Sequence, residues 1–190
     1  IFGCSNHLAR YSWTPSGGFA TQWSVSLPER LQDMVHRNLG AEGNALLVAF
    51  PDSRVELRNP INGRVEATYN LDRGTAMVVE SADLNGDGHR EILVGANEGR
   101  GALYAFRADG TRLWKQTVEH DHYQQYSYSC PRFADLDGDG IDEMLLVSSV
   151  LGELEIYQQS RELSGPPTWN FLARQLNLGR WARIEVADLN

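Results

Sequence analysis

Apolar residues in this chain fall in short runs, each bounded by Gly, Pro, Asn, Asp or Ser. Ala45-Leu46-Leu47-Val48-Ala49, Ala102-Leu103-Tyr104-Ala105-Phe106 and Met144-Leu145-Leu146-Val147 are typical. Such runs are too short for helices. Their Val, Leu, Ile and aromatic content predicts β-strands. No helical periodicity competes with them, so the pattern predicts an all-β chain.

The runs also repeat. Asp83 to Asp135 is 52 residues and Asp135 to Asp188 is 53. After Glu91-Ile92-Leu93-Val94-Gly95 comes Ala102–Phe106, the turn Ala108-Asp109-Gly110-Thr111, and Arg112-Leu113-Trp114-Lys115. The same order returns after Glu143, and it precedes residue 83 twice in weaker form. Further strands are predicted over 76–82, 127–134 and 181–187. Four antiparallel strands per ~50 residues is the signature of a propeller blade. The pattern therefore predicts one β-propeller region over 1–190, of about four blades. Its units are 1–27, 31–71, 75–118 and 126–175, with the start of a further one at 179–190. Trp23, Tyr69, Trp114 and Trp169 are expected at equivalent places.

Candidate chemistry enters with the stretch before two of these runs. Asp83-Leu84-Asn85-Gly86-Asp87-Gly88-His89-Arg90-Glu91 returns as Asp135-Leu136-Asp137-Gly138-Asp139-Gly140-Ile141-Asp142-Glu143. Oxygen-bearing side chains stand at positions 1, 3, 5 and 9 of both. Ca²⁺ takes about six to eight hard oxygen ligands in a flexible shell, whereas Mg²⁺ demands near-ideal octahedral geometry. Two Ca²⁺ sites are predicted. One uses Asp83, Asn85, Asp87, Glu91 and the carbonyl of His89. The other uses Asp135, Asp137, Asp139, Glu143 and the carbonyl of Ile141. Gly88 and Gly140 supply the positive φ that a sharp loop needs. Plain turns with solvated carboxylates are the alternative, but clustered aspartates repel one another without a cation. An EF-hand is excluded, because its loop closes at position 12 between helices. Aligning Val48 with Val94 puts Arg37, Leu39, Ala41 and Ala45 at the ligand places of the unit 31–71. That unit is not expected to bind calcium.

Composition narrows the function. The net charge is −8, from 17 basic and 25 acidic residues. This argues against nucleic acid, whose binding rests on phosphate neutralisation. No run of ~18 apolar residues is present to span a membrane as a helix. The two cysteines, Cys4 and Cys130, have no framework spacing and lie in strand-like runs, so two buried free thiols are expected, with a single long-range bridge as the alternative.

The loop D-x-(N/D)-G-D-G-x-x-E feeding a strand resembles the FG-GAP/VCBS repeat of integrin α-subunit propellers and many bacterial secreted proteins. The resemblance implies a propeller fold and structural calcium, with a binding or interaction role more than a specific chemistry. Glu91 and Glu143 stand where that family commonly has aspartate. Protein or carbohydrate is the expected partner, and an extracellular, periplasmic or cell-surface location follows from the calcium that such loops need. The alternative is a propeller enzyme such as a calcium-dependent polysaccharide lyase resembling the rhamnogalacturonan lyases. Ile1-Phe2-Gly3 is matched to Ile92-Leu93-Val94, and 188–190 to 83–85. Three arrangements fit: part of a ring of roughly six to eight blades, four blades closing on themselves, or two chains in one ring. Open edge strands would invite self-association.

The densest polar and aromatic cluster lies at His120, Asp121, His122, Tyr123 and Tyr126, on a connection expected opposite the calcium loops. It is a candidate ligand-binding surface, with tyrosine faces for a sugar or peptide. A solvated loop of no dedicated role is an equal reading. No nucleophile elbow, phosphate-cradling loop or H-E-x-x-H zinc motif appears, and no catalytic residue is assigned.

Overall fold

The protein is described from a computed structural model covering residues 1–99, 101–117, 131–148, 153–159 and 169–175. The described residues form four antiparallel sheets, each a simple meander. The first contains β1 (Phe2–Cys4), β2 (His7–Thr14) and β3 (Gly18–Ser26). The second contains β4 (Asp33–Asn38), β5 (Asn44–Ala49), β6 (Arg54–Arg58) and β7 (Val65–Asn70). The third contains β8 (Thr75–Ala82), β9 (Glu91–Asn97), β10 (Gly101–Phe106) and β11 (Arg112–Thr117). The fourth contains β12 (Arg132–Ala134), β13 (Glu143–Ser148), β14 (Glu153–Gln159) and β15 (Trp169–Gln175).

The sheets stack face to face, which explains the continuous apolar runs. A central strand buried on both faces has no polar side to present. In β5, Leu46 and Val48 pack with Leu8, Leu27 and Phe50 towards the first sheet. Ala45 and Leu47, pointing the other way, join Val55, Tyr69, Ile92, Val94 and Tyr104 between the second and third sheets. Leu93, Leu103 and Trp114 meet Phe133, Met144 and Leu146 between the third and fourth. Each fully buried aliphatic or aromatic side chain contributes about 1.5–3 kcal/mol, so these three seams hold the stack together. The result is a propeller-like arc of sheets. Beyond the stack, Phe2, Trp13 and Phe19 of the first sheet are exposed.

At the inner edge, β8 touches both β4 and β12. Buried Glu80 accepts from Arg37 Nε and Nη2, both at 2.9 Å, and from Arg132 Nη1 at 2.6 Å. One carboxylate therefore ties three successive inner strands.

Pairing register exposes the repeat more sharply than sequence does. In every described sheet the pairing of the last two strands shifts register at one place: Arg10/Tyr11, Leu57/Arg58, Ala105/Phe106 and Ile156/Tyr157. These bulges correct two alignments. Opposite Arg10, Leu57, Ala105 and Ile156 stand Trp23, Ala67, Trp114 and Ala173. Trp23 and Trp114 are thus equivalent, while Tyr69 and Trp169 are not their counterparts. Gly3 pairs with Leu8 as Gly95 pairs with Leu103, so Ile1-Phe2-Gly3 corresponds to Leu93-Val94-Gly95, one residue from the expected match. Cys4, expected buried, is exposed and free, because it ends the short β1. Cys130, most of the predicted strand 127–134, and the segments 181–187 and 188–190 lie outside the described residues.

Candidate metal centre and the cleft beside it

The two acidic loops join the first two strands of the third sheet, β8 to β9, and of the fourth, β12 to β13. Their opening aspartates organise them. Asp83 Oδ1 accepts from the Gly86 N–H at 2.7 Å, and Oδ2 from Gly88 at 2.9 Å. Asp135 repeats this with Gly138 at 2.7 Å and Gly140 at 3.0 Å. The loops can wrap an aspartate this tightly because Gly86, Gly88, Gly138 and Gly140 hold φ between +76° and +87°. Only glycine adopts that region without strain.

The proposed carbonyl ligands are pinned through their own amides. The His89 N–H donates to Asp87 Oδ1 at 2.8 Å, and that of Ile141 to Asp139 Oδ1 at 2.9 Å. Each loop is closed by a buried glutamate that begins the next strand. Glu91 Oε2 accepts from the Leu84 N–H at 3.0 Å, and Glu143 Oε2 from Leu136 at 2.8 Å.

In the second loop, ligand oxygens of Asp135, Asp137 and Glu143 lie within 4.8 Å of one another. In the first, the Asn85 amide donates to Asp87 Oδ2 at 3.0 Å, while Asp83 and Glu91 are turned to backbone N–H groups. Burial pushes the Glu91 carboxyl up to about 7, and the Asp87 and Asp83 charges add to it. Glu143 is raised by the same causes, burial first and then Asp137, Asp139 and Asp135. Among the described residues, no Lys or Arg forms an ion pair with Asp83, Asp87, Glu91, Asp135, Asp137 or Glu143. The converging hard oxygens of Asp135, Asp137 and Glu143 form a donor set that fits Ca²⁺.

The second sheet shows the alternative. Its turn is one residue shorter. Arg37 lies on β4 opposite Ala45, as Ala82 lies opposite Glu91. Asn38 Oδ1 accepts from the Gly40 N–H at 2.9 Å, and Leu39 and Gly43 close the turn. The Glu42 carboxylate reaches His89 Nδ1 at 2.8 Å.

Beside the first acidic loop, between the second and third sheets, opens a cleft of about 590 Å³. Glu42, Glu66, Asp87, His89, Arg107 and Asp109 line it, with Leu57 and Ala67 among its apolar walls. No local pattern along the chain points to it, because its walls come from segments far apart in the chain. Asp142 was missed as well. It is buried, and joins the two acidic loops to each other. The opposite charges of Arg90 and Asp142 at position 8 of the two loops were a readable hint. The predicted surface at His120, Asp121, His122, Tyr123 and Tyr126 lies outside the described residues.

Residues 83–146 match the FG-GAP-like repeat family, a span running from one acidic loop through the other. No curated protein matches the chain. Among solved structures, BamB from Moraxella catarrhalis superposes with a TM-score of 0.52 at 11% identity, over 87% of this chain and 43% of BamB. The chain thus spans less than half the length of BamB, and the likeness concerns fold. A Bacteroides caccae protein of unknown function aligns at 11% identity with a TM-score of 0.44, over 90% of this chain and 58% of its own.

Proposed function

We propose that this chain is a calcium-stabilised, propeller-type interaction module that binds a protein or carbohydrate ligand. The observation that carries the reading is the convergence of Asp135, Asp137 and Glu143 in a hairpin loop whose design repeats at 83–91. Each ion pins the hairpin between the first and second strands of a blade. Its role is structural, since the ligand oxygens all come from one short loop and a buried glutamate.

The ligand site we assign is the cleft next to the first loop. Concave sites with apolar walls and a few convergent polar groups are the usual form of small-ligand and sugar sites. Its carboxylates and Arg107 suit a hydroxyl-rich ligand. Loops of this kind need calcium near millimolar, which supports an extracellular, periplasmic or cell-surface location.

Thermal melting in calcium and in EDTA tests the metal. An ion held at ~100 times its Kd stabilises by about 2.7 kcal/mol per site. For a chain of this size ~1 kcal/mol moves the Tm by about 2–4 °C, so chelation should lower it by roughly 10–20 °C. An unchanged Tm, with no metal retained on desalting, defeats the calcium reading. A glycan array probed with wild type and Asp109→Ala tests the cleft.

A further inference from the structure

The two acidic loops are not separate objects. Asp142 stands between Ile141 and Glu143, both assigned to the second ion. Its N–H donates to the Asp83 carbonyl at 2.8 Å, and its Oδ2 accepts from the Asp83 N–H at 2.9 Å. Asp83 opens the first loop, so a two-way lock joins one loop's last turn to the other's first residue. The same Oδ2 accepts from Arg90 Nη2 at 2.5 Å, and Arg90 adjoins Glu91. Arg90 Nη2 also donates to the Ser81 carbonyl at 3.0 Å, on the strand leading into Asp83. Buried Ile141 lies so close to Gly86 that a Cβ there would come within 3.3 Å of Ile141 Cγ1.

From this geometry we infer that the two loops bind their ions cooperatively, with Asp142 as the residue that couples them. The inference rests on the calcium reading above. An ion in either loop fixes that loop's backbone. Through Asp142 the fixed backbone is also one wall of the other loop, so the second ion meets part of its ordering already done. Coupling of this kind is reciprocal and typically amounts to ~5–150-fold in affinity. Arg90 is the second member of the clasp.

The test is calorimetric titration of the metal-free chain with calcium chloride. Asp139→Asn disables the second loop and Asp87→Asn the first, each at the fifth position of its loop. Disabling either should weaken the surviving site by about tenfold, by the same factor in both directions. Asp142→Ala leaves every proposed ligand in place. In that background both ions should still bind, and disabling one loop should change the other by less than about twofold. If Asp142→Ala does not fold, Arg90→Gln cuts the same clasp from a more exposed side and should reduce the coupling. Two ions bound independently in the wild-type background, or coupling that survives Asp142→Ala, overturns this inference and leaves the calcium reading standing. A wild-type chain that takes up no calcium overturns both.

Discussion

The second sheet and the third differ at one hairpin, and the difference separates what folding requires from what the acidic loops add. Both sheets run four strands in meander order and bury the same faces. At 38–43 the first two strands are joined by an Asx turn and two glycines with positive φ. At 83–90 the same job is done by a longer loop holding three aspartate or asparagine side chains against a buried glutamate. A hairpin at this place needs no carboxylates. Where Ala45 sits buried in the second sheet, the third has Glu91, at a place where burial and two like charges oppose ionisation. Without a cation the acidic loop is therefore the less stable solution, a cost that the proposed ion would offset.

The strongest way to break that comparison uses the fourth sheet's copy of the acidic loop, in the variant Glu143→Gln. Glutamine keeps an oxygen for the Leu136 N–H but removes the charge. In EDTA the variant should melt no lower than wild type. In calcium it should lose one ion and about 3 kcal/mol, or roughly 5–10 °C. Equal melting of variant and wild type in calcium would show that Glu143 holds no ion.

A second test uses pH on the metal-free protein. Glu91 has a folded pKa of about 7, above the ordinary 4.5, so the folded state binds the extra proton. Its stabilising contribution is full below pH ~4.5 and is lost as pH rises through ~7. Urea unfolding in EDTA should thus give about 2 kcal/mol less stability at pH 8 than at pH 5 from this residue. Glu91→Gln should flatten that dependence. Calcium should reverse its sign, because the ion needs the carboxylate deprotonated.

The smallest expected effect lies in the second sheet. Asn38→Ala removes one exposed hydrogen bond and should cost about 0.5–1 kcal/mol, equally with and without calcium. A calcium-dependent loss there would mean that the acid-free turn responds to the ions, which the comparison denies.

Much of this was legible along the chain because it is local. The loops, their glycines and the strands after them depend on neighbours within about ten residues. Blade grammar was legible for the same reason. The aromatic alignment failed because the connections before the last strands differ in length, as between Arg58 and Val65 and between Phe106 and Arg112, and spacing alone does not reveal which residue of the last strand follows the bulge. Cys4 was misjudged because an apolar run at the edge of a stack has only one covered side. Glu80 with its two arginines, Asp142 with Asp83, and the cleft all join residues more than forty positions apart. Local patterning carries no trace of such partners until the sheets are stacked.

The recurring bulge has a practical consequence for protein engineering. Because the register shift is completed inside the ladder, the length of the hairpin tip beyond it does not change the pairing of the strands behind. The tips already differ in length, from 15–17 in the first sheet to 59–64 in the second and 107–111 in the third, while the paired positions before them stay in step. The exposed tip at 15–17 is a natural graft point: a foreign peptide inserted there would be displayed at the rim without re-indexing the hydrophobic seams behind it.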